Sequence, residues 1–523
     1  MKRVQKRGIL TASMFIILCM IFIACSNSSP PSSSPSSSPQ ASSEASPDAS
    51  SPNAVEGNES VFKLPEPVTV SLMTNAAEFN NDLLVYQNIF EATNIRIDGQ
   101  YPAGNYADSL ALAMAGGDIP DIIFMNANNL PKKYGSQGAL VDFNEYLDQM
   151  PNLKAFWEER PDLKERATNY DGKTYQTITD GLSYGNNLVW MYRKDIFEKH
   201  DIGIPSTWDE LHEVLRTLKE LYPDSSPLTF RDHFGTIDHR MLPSFGIVQN
   251  VSYRLGTDEL MFGQVQDEYR DMLGYLNQFY TERLMNQDFL STTVQQWSEV
   301  MTTDRAFITV DYIGRMQTLT EAMQTEGAQL AMMPPPAGTD GPAYLANMSY
   351  MIGGFTVFKN SPHLDAALHY VDFMFSDEGS EIVSWGKQGE TWDIVDGRKQ
   401  IIVGEDTLSL RQATGIGGFG AYGKFDSEAT MSLLPQEYLP YYEEVLEYIY
   451  PEDIVPSFNE IETERLAVLE DQLGKYRETA VSRFILGDRP LSEWDQYVQE
   501  MERLGLPEVL DLYKTAFERM KNF

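Results

Sequence analysis

The sequence predicts an α/β fold of two domains that closes in a long helical segment. Three observations carry this. Strand-like and helix-like runs alternate between residues 68 and 125. The folded portion is long enough for two cores. The last hundred residues repeat apolar side chains at helical spacing.

A leader precedes the first strand. Lys2, Arg3, Lys6 and Arg7 stand before a mostly apolar run at 9–23, shorter than the roughly 20 residues a membrane helix needs. The run ends in Phe22-Ile23-Ala24-Cys25. This ending resembles a bacterial lipobox, with Phe22 where Leu is usual, in which the cysteine is acylated and becomes the new N-terminus. Residues 1–24 are therefore expected to be a lipoprotein signal peptide and Cys25 the lipidation site. An ordinary cleaved leader or an uncleaved anchor is the alternative. Two or more acyl chains would hold the protein stably at a membrane surface.

Cys19 and Cys25 are the two cysteines of the chain. Loss of the leader removes the first and lipid occupies the second, so no intrachain disulfide is expected. Stability must come from apolar burial, for which the 499 residues from Cys25 onward are ample. Residues 25–61 are rich in Ser, Pro and Ala, with too little apolar surface to offset ordering entropy, and read as a tether behind the anchor.

The formal charge is −36, or about −40 without the four basic leader residues. A field of that sign repels nucleic acid and gains nothing at an anionic membrane, so membrane attachment is expected through lipid alone and no nucleic acid partner is expected. The acidic residues are scattered, which suits solubility better than a site.

The folded part begins near Val61. Val68-Thr69-Val70-Ser71-Leu72-Met73 reads as a strand, residues 80–92 as a helix, Ile95-Arg96-Ile97 as a second strand and residues 105–116 as a second helix stopped by Gly116-Gly117. A turn at Asp118 leads into a third strand through Met125. Right-handed crossovers then give a parallel sheet, whose ligands sit beyond the carboxyl ends of the strands. Asn75 and Asn126, just after strands one and three, converge there. Toward the end, Leu466, Leu469, Leu473, Tyr476, Ala480 and Phe484 recur at helical spacing up to Gly487. Ser492 is the expected cap of a further helix bearing Trp494, Tyr497, Val498, Met501 and Leu504.

Several catalytic patterns fail on context. Gly415-x-Gly417-x-x-Gly420 matches a dinucleotide fingerprint, and Gly418 to Lys424 most of a phosphate loop. The preceding residues 411–414 do not read as a buried strand, and Phe425 replaces the magnesium-holding hydroxyl. This is expected to be a flexible glycine loop. His233 and His239 lack a usual ligand spacing, and no calcium loop or nucleophile elbow is found. No metal and no cofactor is expected, and the chain is not expected to be an enzyme. Aromatic content is more informative. Seven Trp, 27 Tyr and 26 Phe suit a carbohydrate cleft, where sugar C–H faces lie on aromatic planes and hydroxyls meet fixed polar partners.

Five stretches in order then resemble one family. They are Gly117-Asp118-Ile119-Pro120-Asp121; Gly138-Ala139-Leu140-Val141-Asp142-Phe143; Tyr192-Arg193-Lys194-Asp195; Gly203-Ile204-Pro205 with Thr207-Trp208-Asp209-Glu210-Leu211; and Phe484-Ile485-x-Gly487 with Trp494-Asp495-x-Tyr497-Val498 and Gly505-Leu506. From about 62 to 523 the chain resembles the family 1 extracellular solute-binding proteins of ABC importers, in particular the Gram-positive lipoproteins that handle oligosaccharides. Thr207 and Glu210 also form a local capping-box pattern that makes Trp208 structural. Arg193 and Asp195 read as a structural pair.

The resemblance implies a two-lobed, periplasmic-binding-protein-like fold of type II with a hinge and an interlobe cleft. Lobe one would hold 62–180 and 342–395, and lobe two 181–341 and 396–523. It implies capture of a carbohydrate, most naturally an oligosaccharide, by a monomer on the outer face of the cell membrane, for the transmembrane subunits of an ABC permease. It places a stacking aromatic at Tyr312, with Asp311 beside it as a hydroxyl acceptor or helix cap. Trp190, after the first crossover, and Trp392, near the third, would line the cleft. Trp297, Arg231 and Tyr350 complete the candidate set. Relatives can carry a calcium loop after the Trp208 helix, and Tyr222-Pro223-Asp224-Ser225-Ser226-Pro227 lacks its ligand pattern. A surface-anchored glycoside-active enzyme, a binder of another solute such as a peptide, and a sensor partner remain the alternatives.

Overall fold

The computed structural model describes residues 60–522, apart from 75–78, 103, 127–128, 182–186, 349–352, 405, 419 and 452–454. The leader, Cys25, the tether as far as residue 59, Asn75 and Tyr350 lie outside the described residues.

Strands β1 (Val68–Met73), β2 (Ile95–Gln100) and β3 (Ile122–Asn126) are joined by helices Leu84–Thr93 and Tyr106–Gly116. Short caps delimit the second helix. The Asn105 side chain accepts a bond from the Asp108 amide, and Gly117 takes φ +77° at the other end. β1 pairs parallel with both neighbours. With β4 (Leu188–Arg193), β5 (Val251–Tyr253), β6 (Leu260–Phe262), β7 (Ile308–Tyr312) and β8 (Leu330–Met333) intervening, β9 (Gly353–Val357) joins antiparallel to β3. The first sheet therefore runs β2-β1-β3-β9.

Both faces of this sheet are covered, as period-two alternation demands. Val70, Leu72, Ile122, Phe124, Phe355 and Val357 face one core, while Met73, Ile123 and Met125 face a smaller one with Leu110, Tyr134 and Tyr175. A Cβ at position 354 would lie 1.7 Å from the Thr177 carbonyl oxygen, so only glycine lets the chain at 177 pass so close to β9.

The second sheet runs β7-β4-β8, with β4 antiparallel to both neighbours. Its core holds Trp190, Trp208 and Trp297, the first two edge-to-face at 5.9 Å. Fully burying a large apolar side chain contributes roughly 1.5–3 kcal/mol, so a core of this size needs no covalent staple. The Trp208 helix starts as half a capping box. Thr207 Oγ1 accepts from the Glu210 amide at 3.1 Å, but the Glu210 carboxylate accepts from Ser206 N and Oγ, both at 2.7 Å, one residue earlier than expected. Trp208 is structural, its Nε1 donating to Ser244 Oγ at 3.0 Å. Arg193 is fully buried between Asp195 and Asp304, a structural pair extended by one carboxylate.

Among the described residues, the chain passes between the cores three times. Ile178 belongs to the first and Val189 to the second; Leu345 to the second and Phe355 to the first; Ala429 to the first and Tyr438 to the second. The third passage corrects the expectation. Ile401, Leu410, Ile416, Tyr422, Phe425 and Ala429 pack on the first sheet, so the crossing lies at 430–437 and not at 395. Gly415, φ +81°, ends the helix Thr407–Thr414, and the glycine segment after it is a loop whose residues 415–418 are buried.

Helices dominate the end of the chain. Glu460–Leu486 stops at Gly487 (φ +81°), whose amide donates to the Phe484 carbonyl. Ser492 is not a helix cap: it lies inside a short 3₁₀ turn, Leu491–Glu493, that leads into Trp494–Arg503. The last helix is Leu506–Met520.

Candidate functional site

The carboxyl end of β7 meets two of the crossing segments. Tyr312 closes β7 opposite Leu188, the first residue of β4. Its half-buried ring packs on a small apolar cluster of Leu188, Ala346 and Met348. Leu188 ends the first crossing, and Ala346 and Met348 lie on the second. Asn126, at the end of β3, has its backbone opposite Gly353 at the far end of that second crossing. Strand ends of both lobes thus converge on one crossing segment.

Asp311 lies within β7 and is a strand residue, not a helix cap. It is fully buried. Arg231 brings Nε to 2.8 Å and Nη2 to 2.9 Å of its carboxylate, and Arg240 brings Nη1 to 2.9 Å. The Tyr312 amide donates to the same carboxylate at 2.8 Å. Asp232 takes a second Arg240 nitrogen at 2.7 Å. Two guanidiniums therefore face two carboxylates, and the cluster is neutral as a unit. Burying such charges is tolerable only with this pairing. Arg240 also lies over the Tyr312 ring, 5.6 Å from its centre, and Arg231 lies 5.4 Å from the centre of Trp297.

Arg240 and His239 come from a π-helix, Gly235–Met241, an element sequence reasoning missed. Wide turns of this kind are rare and recur at functional sites. Asp232 and His233, with φ of +70° and +43°, bend the chain into it. One side of the element drops Asp238 into the core, where Tyr269 donates to it at 2.5 Å and Arg477 pairs with it at 3.1 Å. Burial pushes that carboxyl above its ordinary range, against the pull of Arg477 and Tyr269. The other side turns His239 toward the second crossing, with Nε2 at 3.3 Å from Met348 Sδ. Burial, helped by the Arg240 charge, lowers the His239 pKa. Nothing in a single sequence pairs Arg240 with Asp311, 71 residues away.

The structure separates the other candidates. Asp311, Arg231 and Tyr312 meet in the cluster. Trp190 does not line a cleft: it is fully buried in the middle of β4, because a central strand of three is covered on both faces. Trp297 is also a core residue, 1 % exposed, with Nε1 donating to Thr309 Oγ1 at 2.9 Å. It supports Arg231 from behind. Trp392 begins the hairpin formed by β10 (Trp392–Val395) and β11 (Arg398–Ile401), packed on the first core, and the third crossing meets the second strand of that hairpin, where Ser432 Oγ accepts from the Ile401 amide at 3.0 Å. There Lys399 lies between Trp392 and Trp385, 4.2 and 4.3 Å from the ring centres. The segment compared with a calcium loop is closed by its own bonds, Lys219 Nζ donating to the Ser225 carbonyl at 2.6 Å. A separate surface groove of about 480 Å³, lined by Gln266, Asp267, Trp494, Asp495 and Glu502 among others, shares no residue with the cluster.

Two α/β cores joined by three crossings, with strand ends meeting at the crossings, define a two-lobed binding-protein fold. Residues 71–381 match the bacterial extracellular solute-binding protein family, and the chain belongs to that family. Among curated relatives, the fructooligosaccharide ABC transporter substrate-binding protein FusA of Streptococcus pneumoniae is 23 % identical over 88 % of this chain and 91 % of its own. The polygalacturonan/rhamnogalacturonan-binding protein YtcQ of Bacillus subtilis is 24 % identical over 83 % and 88 %. A solved HMO-binding, ABC-transporter-associated solute-binding protein of Bifidobacterium longum infantis superposes with a TM-score of 0.71 over 87 % of this chain and 99 % of its own, at 19 % identity. The alginate-binding protein AlgQ2 without calcium superposes at 0.68 over 88 % and 100 %, at 20 % identity.

Proposed function

We propose that this protein captures an oligosaccharide outside the cell, held at the membrane by lipid on Cys25, and delivers it to an ABC permease as a monomer without chemical change. The carrying observation is the floor built by Tyr312. A partly exposed aromatic ring sits where strand ends and crossings meet, next to a charge cluster that is neutral as a whole. An aromatic surface suits a sugar C–H face, and the outer N–H groups of a guanidinium already held by Asp311 suit hydroxyls. The sugar-binding names of relatives matched along most of their length support the same reading. Ligand that bridges the lobes stabilises the closed form, which the permease recognises.

Calorimetry against fructooligosaccharides, raffinose-type, galacturonate and milk oligosaccharides tests it. Saturable binding without product is expected, weakened about tenfold or more by Tyr312→Ala, the scale of an aromatic anchor in a binding site. Binding of peptides alone, or release of shorter sugars, would overturn the proposal. Labelled palmitate entering the wild type and not Cys25→Ser checks the anchor.

A further inference from the structure

We propose that Asn169 and Ser457 form a polar latch between the two lobes that sets the balance between their arrangements. Asn169 follows the helix Pro161–Ala167, whose Leu163 and Ala167 pack on the first core. Ser457 lies in the segment before helix Glu460–Leu486, whose Phe458 and Leu466 pack on the second. Ser457 Oγ donates to Asn169 Oδ1 at 2.8 Å across 288 residues of chain. Both are buried, at 7 % and 2 % exposure, and Pro456 beside them is buried too.

Each half is fixed to its own lobe. On the first, the Asn169 amide donates to the Lys173 carbonyl at 2.7 Å and Gly172 donates back to Asn169 at 2.9 Å, so a tight turn presents the side chain. On the second, Arg519 Nη1 donates to the Ser457 carbonyl at 3.2 Å and also pairs with Glu462, while Asn459 and Glu462 close a capping box. Phe458 packs edge-on against Tyr513 at 4.9 Å. Neither half rides on a crossing segment, so rotation about the crossings changes their separation.

The contact is also built to be reversible. Among the described residues, Asn169 Nδ2 is buried with no hydrogen-bond partner. Its lost hydration offsets part of the bond's gain and is recovered when the lobes part. A latch of this strength tips a two-state balance without locking it.

The test is pulsed electron resonance on the full chain carrying Cys19→Ser and Cys25→Ser, with spin labels at Leu112→Cys on the first lobe and Ile204→Cys on the second, both exposed. Asn169→Ala, Ser457→Ala and the double variant are compared with no sugar present. Each single variant is expected to shift the ratio of interlobe distance populations about fivefold, as loss of one ordinary hydrogen bond does. The double variant shifts it no further. Unchanged distances in all three variants, or in Ser457→Ala alone should Asn169→Ala not fold, overturn the latch even if thermal midpoints fall. Additive shifts overturn the pairing.

Discussion

Each lobe buries a carboxylate beside a strand of its sheet, and the two are held by different kinds of partner. Asp121, before β3, has no arginine or lysine against it among the described residues and is held by Ser71 N at 2.8 Å, Ser71 Oγ at 2.7 Å, Ser361 Oγ at 2.5 Å and His363 Nδ1 at 3.3 Å. Burial pushes its pKa up, but the bonds from Ser361, Ser71 and His363 together hold it below the ordinary range. Asp311, at the carboxyl end of β7, is held by Arg231 and Arg240 instead. The difference follows position. Asp121 is at the amino end of its strand, away from the convergence of strand ends, and works as a strut between β1, β3 and the chain after β9. Asp311 stands where ligand is expected, and guanidiniums with more donors than it can use leave N–H groups to offer.

The largest effect expected from breaking this contrast is at Asp311. Asp311→Ala leaves two largely buried guanidiniums with one exposed carboxylate, and should cost about 3–5 kcal/mol in chemical denaturation. A loss no greater than a surface substitution would show that the arginines relax into water. Asp121→Ala should cost less, about 1.5–3 kcal/mol, the scale of hydrogen bonds to one charged acceptor. Because its folded pKa is depressed, its contribution is fully present above the unfolded value of about 3.9 and is lost as pH falls through the folded one. The Asp121→Ala chain should therefore show a flatter acid limb in pH-dependent melting.

The smallest effect is at His239, which faces Met348, Gln249, Arg240 and Asp232. Its folded pKa is lowered, so stability is full above the unfolded value of about 6.5 and declines as pH drops below it, where the unfolded chain takes the proton more readily. His239→Gln should remove that part of the slope between neutral and mildly acid pH. An unchanged slope would assign it to other groups.

Local elements were legible because their signals are local. The strand at 68–73, the helices ended by Gly117 and Gly487 and the structural use of Trp208 follow from alternation, caps and glycine stops a few residues apart. Ser492 misled because a short polar residue before a helix also fits a 3₁₀ turn. The cysteine and Ser/Pro-rich opening carried its own expectation in composition alone.

Sequence by itself determined the α/β alternation, the parallel start of the first sheet and the helical end, and motif order pointed to the family. Tertiary structure alone decided which aromatics are walls and which are core. Trp190 and Tyr312 both lie on strands of one sheet, yet the first is capped by Trp208 and the second meets the crossing segments. It also decided where the third crossing runs, that Arg240 joins Arg231 at Asp311, and that Asn169 reaches Ser457. These contacts link residues tens to hundreds of positions apart, and no short window of sequence contains both partners.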